Sequence, residues 1–237
     1  MSYILSGFIF GCLIPYFARH IGKLIPASPG YILLKMWWPT HYMPWQKLKN
    51  NPQYVFLLQR YIMRSIGWGI FCAALSYLFA TIFAYNYALW HMVFLWIVLL
   101  LVEIDKRFML LPDVLTLPLL IMGFGYAALG GPWIMIDVPT IFTPAQFSAL
   151  GAAFGFIMPV IASMFVVWKY PEAFGAGDIK LLAALGAWIG LESVSYVILG
   201  ACFIFGVTCL INKMRTGPFG PSIVYAAIIV LITLSAL

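Results

Sequence analysis

The chain has few charged residues for its length, and this scarcity defines its broad class. Of its 237 residues only 8% are charged, whereas 64% are apolar. A soluble domain carries about 25% charged residues, so a fold with a water-facing surface does not fit this composition. Apolar runs of roughly 18 or more residues recur from end to end, and a helix of that length crosses a hydrocarbon layer of about 30 Å. The sequence therefore predicts a membrane protein.

The apolar runs also lack the alternation of apolar and polar residues that a membrane barrel requires. They are apolar on every face, so the predicted fold class is all-α, a polytopic transmembrane helical bundle. The first run has no basic residue before it and no small-residue cleavage site after it, so we expect a retained span rather than a signal peptide. About eight spans are predicted, near residues 3–18, 65–84, 89–104, 114–130, 146–168, 179–190, 193–211 and 221–237.

Motifs for metal-dependent or nucleophilic catalysis are absent from the sequence as well. The four cysteines lie inside apolar runs without a Cys-x-x-Cys spacing, so they are interpreted as packing residues, not as disulfides or zinc ligands. The three histidines are dispersed, and each is expected to be hydrogen-bonded or solvated. There is no His-Glu-x-x-His zinc motif, no Gly-x-Ser-x-Gly elbow and no nucleotide-binding loop. No metal site is predicted.

Basic residues are confined to one side of the predicted bundle. All 13 of them lie in or beside one alternate set of connections, at 19–64, 105–113, 169–178 and 212–220. Because positive residues near span ends stay in the cytosol, this topology places these connections in the cytosol and both termini outside it. The net charge of +6 therefore reports orientation, and nucleic acid is not an expected partner.

The apolar stretch at 179–211 is interrupted near Gly190, so it fits either one kinked helix or two short spans. The charge rule favours two spans, because a single crossing would place Lys213 outside the cytosol. The first half, 179–190, would be only about 18 Å long as a helix. Asp178, just before it, is therefore predicted to lie below the membrane surface.

Acidic residues are scarce, and their positions single out two segments. Of the seven in the chain, Asp105 ends a span, where the helix dipole disfavours an anion, so a functional role is expected. Asp113 opens the next apolar run and is predicted to be a helix N-cap. Asp178 follows Gly175 and Gly177, whose missing side chains would leave room for a peptide. On this segment alone, a cap and a catalyst fit Asp178 equally well.

The two aspartates are more informative together than either is alone. Two carboxylates at one depth on one side of a bundle can approach each other, and like charges in contact cannot both ionise. The pair then shares a proton, so one member acts as general base on a water while the other polarises a peptide carbonyl. This is the chemistry of aspartic proteases, and it needs neither a metal nor a nucleophilic side chain.

Three strings of residues occur in an order known from one family of membrane enzymes. They are Ile104-Asp105 with Leu111-Pro112-Asp113-Val-Leu-Thr116-Leu-Pro118, then Gly175-Ala-Gly177-Asp178-Ile-Lys180-Leu-Leu-Ala-Ala-Leu-Gly186-Ala-Trp188-Ile-Gly190, and Pro218-Phe-Gly220-Pro221. In these strings the sequence resembles the type IV prepilin peptidases, aspartic proteases of the Gly-x-Gly-Asp type. The resemblance implies that Asp105 and Asp178 are the catalytic pair. It implies a supporting role for the motif residues Gly175, Gly177, Asp113 and Lys180.

The resemblance also implies a substrate and a location. The chain is expected to be a hydrolase of the bacterial inner membrane that removes the basic leader peptide of type IV prepilins or pseudopilins at the cytosolic face. Its partners would be the transmembrane helix of that substrate and membrane lipid, and the oligomeric state stays open. We expect two divisions, a first transmembrane helix with its cytosolic loop over 1–64 and the peptidase domain over 65–237.

The amino-terminal third departs from the family pattern. Many family members carry two Cys-x-x-Cys pairs, resembling a zinc site, in the first cytosolic connection, and also N-methylate the processed pilin with S-adenosylmethionine. Residues 19–64 contain no cysteine. Zinc is therefore not expected, and proteolysis is expected to need no cofactor. S-adenosylmethionine would be required only if the chain transfers a methyl group, which the sequence leaves open.

Two functions from other classes stay open. A proton- or ion-coupled membrane transporter could use carboxylates within the bundle, but it predicts polar residues along a pathway in other spans, and few are present. A non-catalytic assembly subunit could bind a helical partner through the same segments. Cleavage of a prepilin by the purified protein would separate these functions from the protease.

Overall fold

The described part of the chain is helical. The computed structural model describes residues 2–24, 52–83, 87–131, 133, 142–167, 175–214 and 217–236. No strand occurs within these ranges, so the all-α prediction is confirmed there. The described ranges contain seven helices: α1 (Ser2–Leu24), α2 (Pro52–Ile82), α3 (Ala88–Phe108), α4 (Asp113–Ala128), α5 (Pro144–Val167), α6 (Ala176–Asn212) and α7 (Gly220–Ala236).

Most of these helices have the length and composition of membrane spans. Among the described residues, α1, α2, α3, α5 and α6 are long and apolar enough to cross a membrane, whereas α4 and α7 are shorter apolar helices. The chain is therefore a multi-pass membrane protein. The predicted count of eight spans is not confirmed, because only five helices of the described ranges have this length and composition. The predicted spans 179–190 and 193–211 are the two parts of α6, on either side of a break in the helix.

Helix α6 is interrupted at Gly190, the position at which the sequence predicted a break. The φ of 79° and ψ of −177° at Gly190 are not helical, and residues with a side chain rarely adopt a positive φ of this kind. A Cβ at this position would also overlap the Phe147 ring of α5. Gly190 is thus required both by the backbone conformation and by the packing.

The half of α6 before Gly190 runs parallel to α4. At its beginning the Lys180 side chain reaches Asp113, the first residue of α4. Two turns later the Trp188 Nε1–H donates to the carbonyl of Leu119, also two turns along α4, at 2.8 Å. Residues further along α6 therefore contact residues further along α4, as in a parallel pair of helices.

The half of α6 after Gly190 runs antiparallel to α7. Gly200 lies against Ala226, whereas the later Phe205 meets Phe219, just before α7 begins. Helices α4 and α7 both begin beside the last turn of α3. A short connection joins α3 to α4, and a hydrogen bond links the first residue of α7 to Asp105 of α3. The two halves of α6 therefore run in opposite directions, as two spans would require, although the number of membrane crossings stays a prediction.

The described helices form two compact units, Met1–Thr81 and Ile82–Leu237. In the first unit α1 packs on α2, and a Cβ at Gly7 or Gly11 would overlap atoms of α2. Small residues of this kind allow the backbones of membrane helices to approach closely. The division that the sequence predicts at residue 64 concerns function, and it stays a prediction.

In the second unit the first half of α6 is held by α5. Gly151 and Gly186 bring the two backbones into contact, and a Cβ on either would overlap the other helix. The Ser148 hydroxyl also donates to the Ala187 carbonyl at 2.6 Å. This hydrogen bond joins α5 to α6 and so further restrains the position of α6. The first turn of α6, which carries Asp178, is thereby fixed relative to its neighbours.

At the opposite end of this unit His91 lies in an aromatic cluster. Its Nε2 is 3.0 Å from the Tyr126 hydroxyl, and its ring stacks on Trp133 with centroids 4.4 Å apart. The prediction of a hydrogen-bonded histidine is confirmed for His91. The four cysteines are free thiols; Cys72 is buried, as a packing residue would be, whereas Cys202 is exposed.

Candidate functional site

Asp105 lies in the last turn of α3, which continues to Phe108, and only 4% of the residue is exposed. Its Oδ2 accepts a hydrogen bond of 2.9 Å from the backbone N–H of Gly220, the first residue of α7. The first amides of a helix have no acceptor within the helix. The Asp105 carboxylate therefore caps α7 from another helix.

This contact offsets the cost that the sequence indicates for Asp105. The carboxyl end of α3 carries partial negative charge and disfavours an anion, whereas the amino end of α7 carries about half a positive charge. A second link joins the same two helices, because Lys106 donates to the Tyr225 hydroxyl at 2.8 Å and lies over its ring. The junction of α3 and α7 thus holds the Asp105 carboxylate in a defined place.

Gly220 is a site residue to which the sequence assigned no role, although Pro218-Phe-Gly220-Pro221 belongs to the family strings. A Cβ at this position would lie 2.7 Å from the Asp105 Oδ2. Any side chain would therefore displace the carboxylate or the start of α7. The sequence does show a glycine at the start of an apolar run, where a backbone amide needs an acceptor. It does not show that Asp105 is this acceptor.

Asp178 lies in the first turn of α6, and the N-cap residue of this helix is Gly175, which makes no side-chain cap bond. Asp178 is therefore not the N-cap. Its half-buried carboxylate interacts with the Gly175 backbone. An anion in the first turn of a helix is favoured by the helix dipole. The Asp178 carboxylate is therefore at the amino end of α6, as the Asp105 carboxylate is at the amino end of α7.

The two glycines before Asp178 lie in different surroundings. A Cβ on Gly177 would lie 2.8 Å from the Leu111 Cβ, so the glycine allows α6 to begin against the connection between α3 and α4. Gly175 is exposed, and a Cβ there would lie 3.1 Å from the Asp178 Oδ2. Gly177 therefore permits close packing, and Gly175 leaves the carboxylate open on one side.

The fold brings Asp105 and Asp178 together at one end of the second unit. Their charges interact, although the residues come from the last turn of one helix and the first turn of another. Within the described ranges neither carboxylate forms an ion pair. The neighbouring buried carboxylate of Glu103 is paired with Arg107 on the same helix. Asp105 and Asp178 are thus two interacting carboxylates without a neutralising cation in the described structure.

Asp113 and Lys180 form an ion pair of 2.6 Å between the beginnings of α4 and α6. The prediction that Asp113 is an N-cap is wrong. Pro112 is the N-cap of α4, without a side-chain bond, and Asp113 is the first residue of the helix. The Asp113 carboxylate points instead to the ammonium of Lys180, which the fold supplies from another helix. Because both side chains are about 40% exposed, we expect the pair to contribute at most about 1 kcal/mol.

No group of three or more histidine, cysteine, aspartate or glutamate residues suitable for a metal ion occurs among the residues that the structure describes. Residues 25–51 lie outside them, and they make up most of the loop in which family members carry cysteines. The expectation that zinc is not bound therefore stays a prediction.

The fold and the site together define the class of this chain, a helical membrane protein with a pair of interacting carboxylates. Residues 92–211 match the type IV leader peptidase family. The match covers half of the chain, and the chain belongs to this family. The matched region includes Asp105, Asp113, Asp178 and Lys180, whereas Gly220 lies beyond it.

The chain is similar to bacterial proteins named prepilin leader peptidase/N-methyltransferase. It is 37% identical over 147 residues to the one from Aeromonas salmonicida, which covers 58% of this chain and 46% of the relative. It is 35% identical over 140 residues to the one from Xanthomonas campestris pv. campestris, which covers 54% of this chain and 44% of the relative. The chain thus spans about half the length of these curated relatives. No solved structure matches it.

Proposed function

We propose that the chain is a membrane aspartic endopeptidase with Asp105 and Asp178 as its catalytic pair. The observation that carries this proposal is the interaction of buried Asp105, fixed by the Gly220 amide, with half-buried Asp178. Two like charges that interact favour a state in which the pair holds one proton. One carboxylate is then a base and the other an acid, as peptide hydrolysis requires.

The reaction uses only these two groups and a water molecule. The ionised aspartate takes a proton from the water, whose oxygen attacks the carbonyl carbon of the peptide bond. The protonated aspartate donates a hydrogen bond to the carbonyl oxygen, where negative charge develops. Transfer of a proton to the amide nitrogen then breaks the C–N bond and restores the shared proton. Since the Gly220 amide binds the Asp105 Oδ2, the Oδ1 is the oxygen of Asp105 that is available for these steps.

We propose the leader peptides of type IV prepilins or pseudopilins as the substrates. Membership of the type IV leader peptidase family supports this class of substrate. Exposed Gly175 and Ala176 precede Asp178, so an extended peptide can approach the carboxylate there without meeting a large side chain. The apolar helix of the substrate would lie in membrane lipid, and the site would face the cytosol, where the charge rule places its connections. Family membership also favours proteolysis over transport.

Methyl transfer is a second activity in the names of the relatives. We assign no residue of this chain to it. The first cytosolic connection has no cysteine over 19–64, and the match to the family begins at residue 92. If the chain does transfer a methyl group, S-adenosylmethionine would supply it, and proteolysis would still need no cofactor.

Cleavage of a prepilin by the purified protein in detergent tests the proposal. Asp105→Asn and Asp178→Asn keep the shape of the side chain and remove its charge, so both variants should fold and lose leader removal. Glu192→Gln is the matched control, because Glu192 is an exposed carboxylate on the same helix as Asp178. It should cleave like the wild type. Normal cleavage by either asparagine variant would show that the pair is not the catalytic group.

A further inference from the structure

The charges of the chain are divided unevenly between its two units. Residues 1–81 contain seven basic residues and no acidic residue, a net charge of +7, whereas residues 82–237 contain six basic and seven acidic residues, a net charge of −1. No carboxylate of the first unit can therefore neutralise its basic side chains. An anion from outside this unit can therefore pair with those of them that lie close together.

Three arginines of the first unit line one open cavity. Arg19 comes from α1, and Arg60 and Arg64 come from the first half of α2. The remaining lining among the described residues is uncharged and consists of Phe56, Gln59, Tyr61 and Met63. The described walls of the cavity thus carry positive charge only.

Two of these arginines are held by aromatic rings. The Arg19 guanidinium lies 4.6 Å from the centre of the Tyr61 ring, and that of Arg60 lies 5.4 Å from the centre of the Phe56 ring. Stacking holds the plane of a guanidinium while its N–H groups stay able to donate. A guanidinium fits two oxygens of a phosphate at once, so this arrangement suits a phosphate group better than a single halide ion.

The cavity lies where the ends of two candidate membrane spans meet. Arg19 is near the end of α1, and Arg60 and Arg64 are near the beginning of the apolar stretch Leu58–Ile82. Further into these spans apolar side chains are exposed, at 42% for Tyr16, one turn before Arg19, and at 41% for Phe71, two turns after Arg64. A ligand with a phosphate and hydrocarbon chains would therefore satisfy both the arginines and the apolar surface beside them.

We propose that this cavity binds the phosphate headgroup of an anionic phospholipid. The arginines bind the phosphodiester oxygens, and the acyl chains pack along the exposed apolar side chains of α1 and α2. A soluble phosphate would use the same arginines but not the apolar surface, and for this reason a lipid is the better fit. The proposal does not depend on the protease function of the other unit.

Binding of phosphatidylglycerol to the full chain in micelles of a neutral detergent tests the proposal. Native mass spectrometry counts the bound lipids, and the rise in Tm with lipid concentration gives the affinity. We expect phosphatidylglycerol to bind and to raise the Tm. Phosphatidylcholine with the same acyl chains and glycerol phosphate without acyl chains should each have little effect.

Variants of the cavity give the decisive comparison. Arg19→Gln, Arg60→Gln and Arg64→Gln should each weaken the binding of phosphatidylglycerol about fivefold, and the triple variant roughly 100-fold, since one basic residue contributes about 1 kcal/mol at an anionic surface. Lys23→Gln is the matched control, because Lys23 is exposed on α1 and does not line the cavity. It should bind within about twofold of the wild type.

Several results would overturn the proposal. Equal binding of phosphatidylcholine would show that the phosphate charge is not recognised, and an equal effect of glycerol phosphate would identify a soluble ligand instead of a lipid. A triple variant that binds like the wild type, or a loss in Lys23→Gln as large as in Arg60→Gln, would exclude this cavity as the site. If the triple variant does not fold, Arg60→Lys decides, because it keeps the charge and loses the two-pronged contact. It should bind at least about threefold more weakly, and unchanged binding would count against the proposal.

Discussion

Replacing Gly220 by alanine should slow peptide cleavage without unfolding the protein. The new Cβ would lie 2.7 Å from the Asp105 Oδ2, and ordinary contact begins at 3.4 Å, so the carboxylate or the helix start must move by about 0.7 Å. The hydrogen bond of 2.9 Å from the Gly220 amide would then stretch to about 3.6 Å, a length at which it no longer counts as a hydrogen bond.

The size of the effect follows from the bond that is lost. A hydrogen bond to a charged group contributes about 1.5–3 kcal/mol, and this corresponds to a rate lower by roughly 10–100-fold if the bond holds Asp105 in the transition state. A displacement of about 1 Å at a catalytic group has a cost of similar size. The KM should stay within about twofold, because the change acts on the carboxylate and leaves the binding of the substrate intact.

Steady-state cleavage of a prepilin in detergent separates kcat from KM, and thermal unfolding measures the stability of the same sample. Gly206→Ala is the matched control, because nothing lies within 4 Å of a Cβ at that position of α6. The control should keep its kcat and its Tm. A Gly220→Ala variant with normal kcat would refute the claim that this amide positions Asp105, and so would a loss of kcat that only follows a loss of folded protein.

Three further changes probe other parts of the structure. Gly190→Ala should lower the stability of the fold by about 1–3 kcal/mol, seen as a lower Tm, because the residue has a φ of 79° and lies against Phe147. Asp113→Asn and Lys180→Met should each cost at most about 1 kcal/mol of stability, and a double-mutant cycle of unfolding measures their coupling. Removal of zinc with a chelator should leave cleavage of a prepilin unchanged, because 19–64 has no cysteine.

Each of these expectations has its own counter-result. An unchanged Tm in Gly190→Ala would mean that the break in α6 is not imposed by the backbone. Coupling well above about 1 kcal/mol between Asp113 and Lys180 would show that the pair is shielded from water. Strong inhibition by the chelator, reversed by added zinc, would reveal a metal site in the first cytosolic connection.

The catalytic candidates could be found from the sequence because their signal is local. A carboxylate at the carboxyl end of an apolar span is costly wherever the rest of the chain goes, and Asp105 meets this condition within one segment. The break at Gly190 is local in the same sense, because a glycine within a long apolar stretch weakens the helix there. The all-α fold follows from the apolar runs alone.

The partners of these residues could not be found in the same way. The Gly220 amide meets Asp105 across 115 positions, and Lys180 meets Asp113 across 67 positions. Only the packing of α3, α4, α6 and α7 creates these contacts, and no local pattern encodes them. For Asp113 the local pattern predicted a cap, and the prediction was wrong because a charged donor on another helix is a better partner for a carboxylate than a backbone amide.

The central claim is that Asp105 and Asp178 act as one catalytic unit. The most direct test is the rate of prepilin cleavage by Asp105→Asn, by Asp178→Asn and by the double variant in the same detergent. If the pair shares one proton, either single change removes the whole function, and the double variant should be no slower than the singles. Losses that multiply in the double variant, or a single variant that keeps substantial cleavage, would contradict the account.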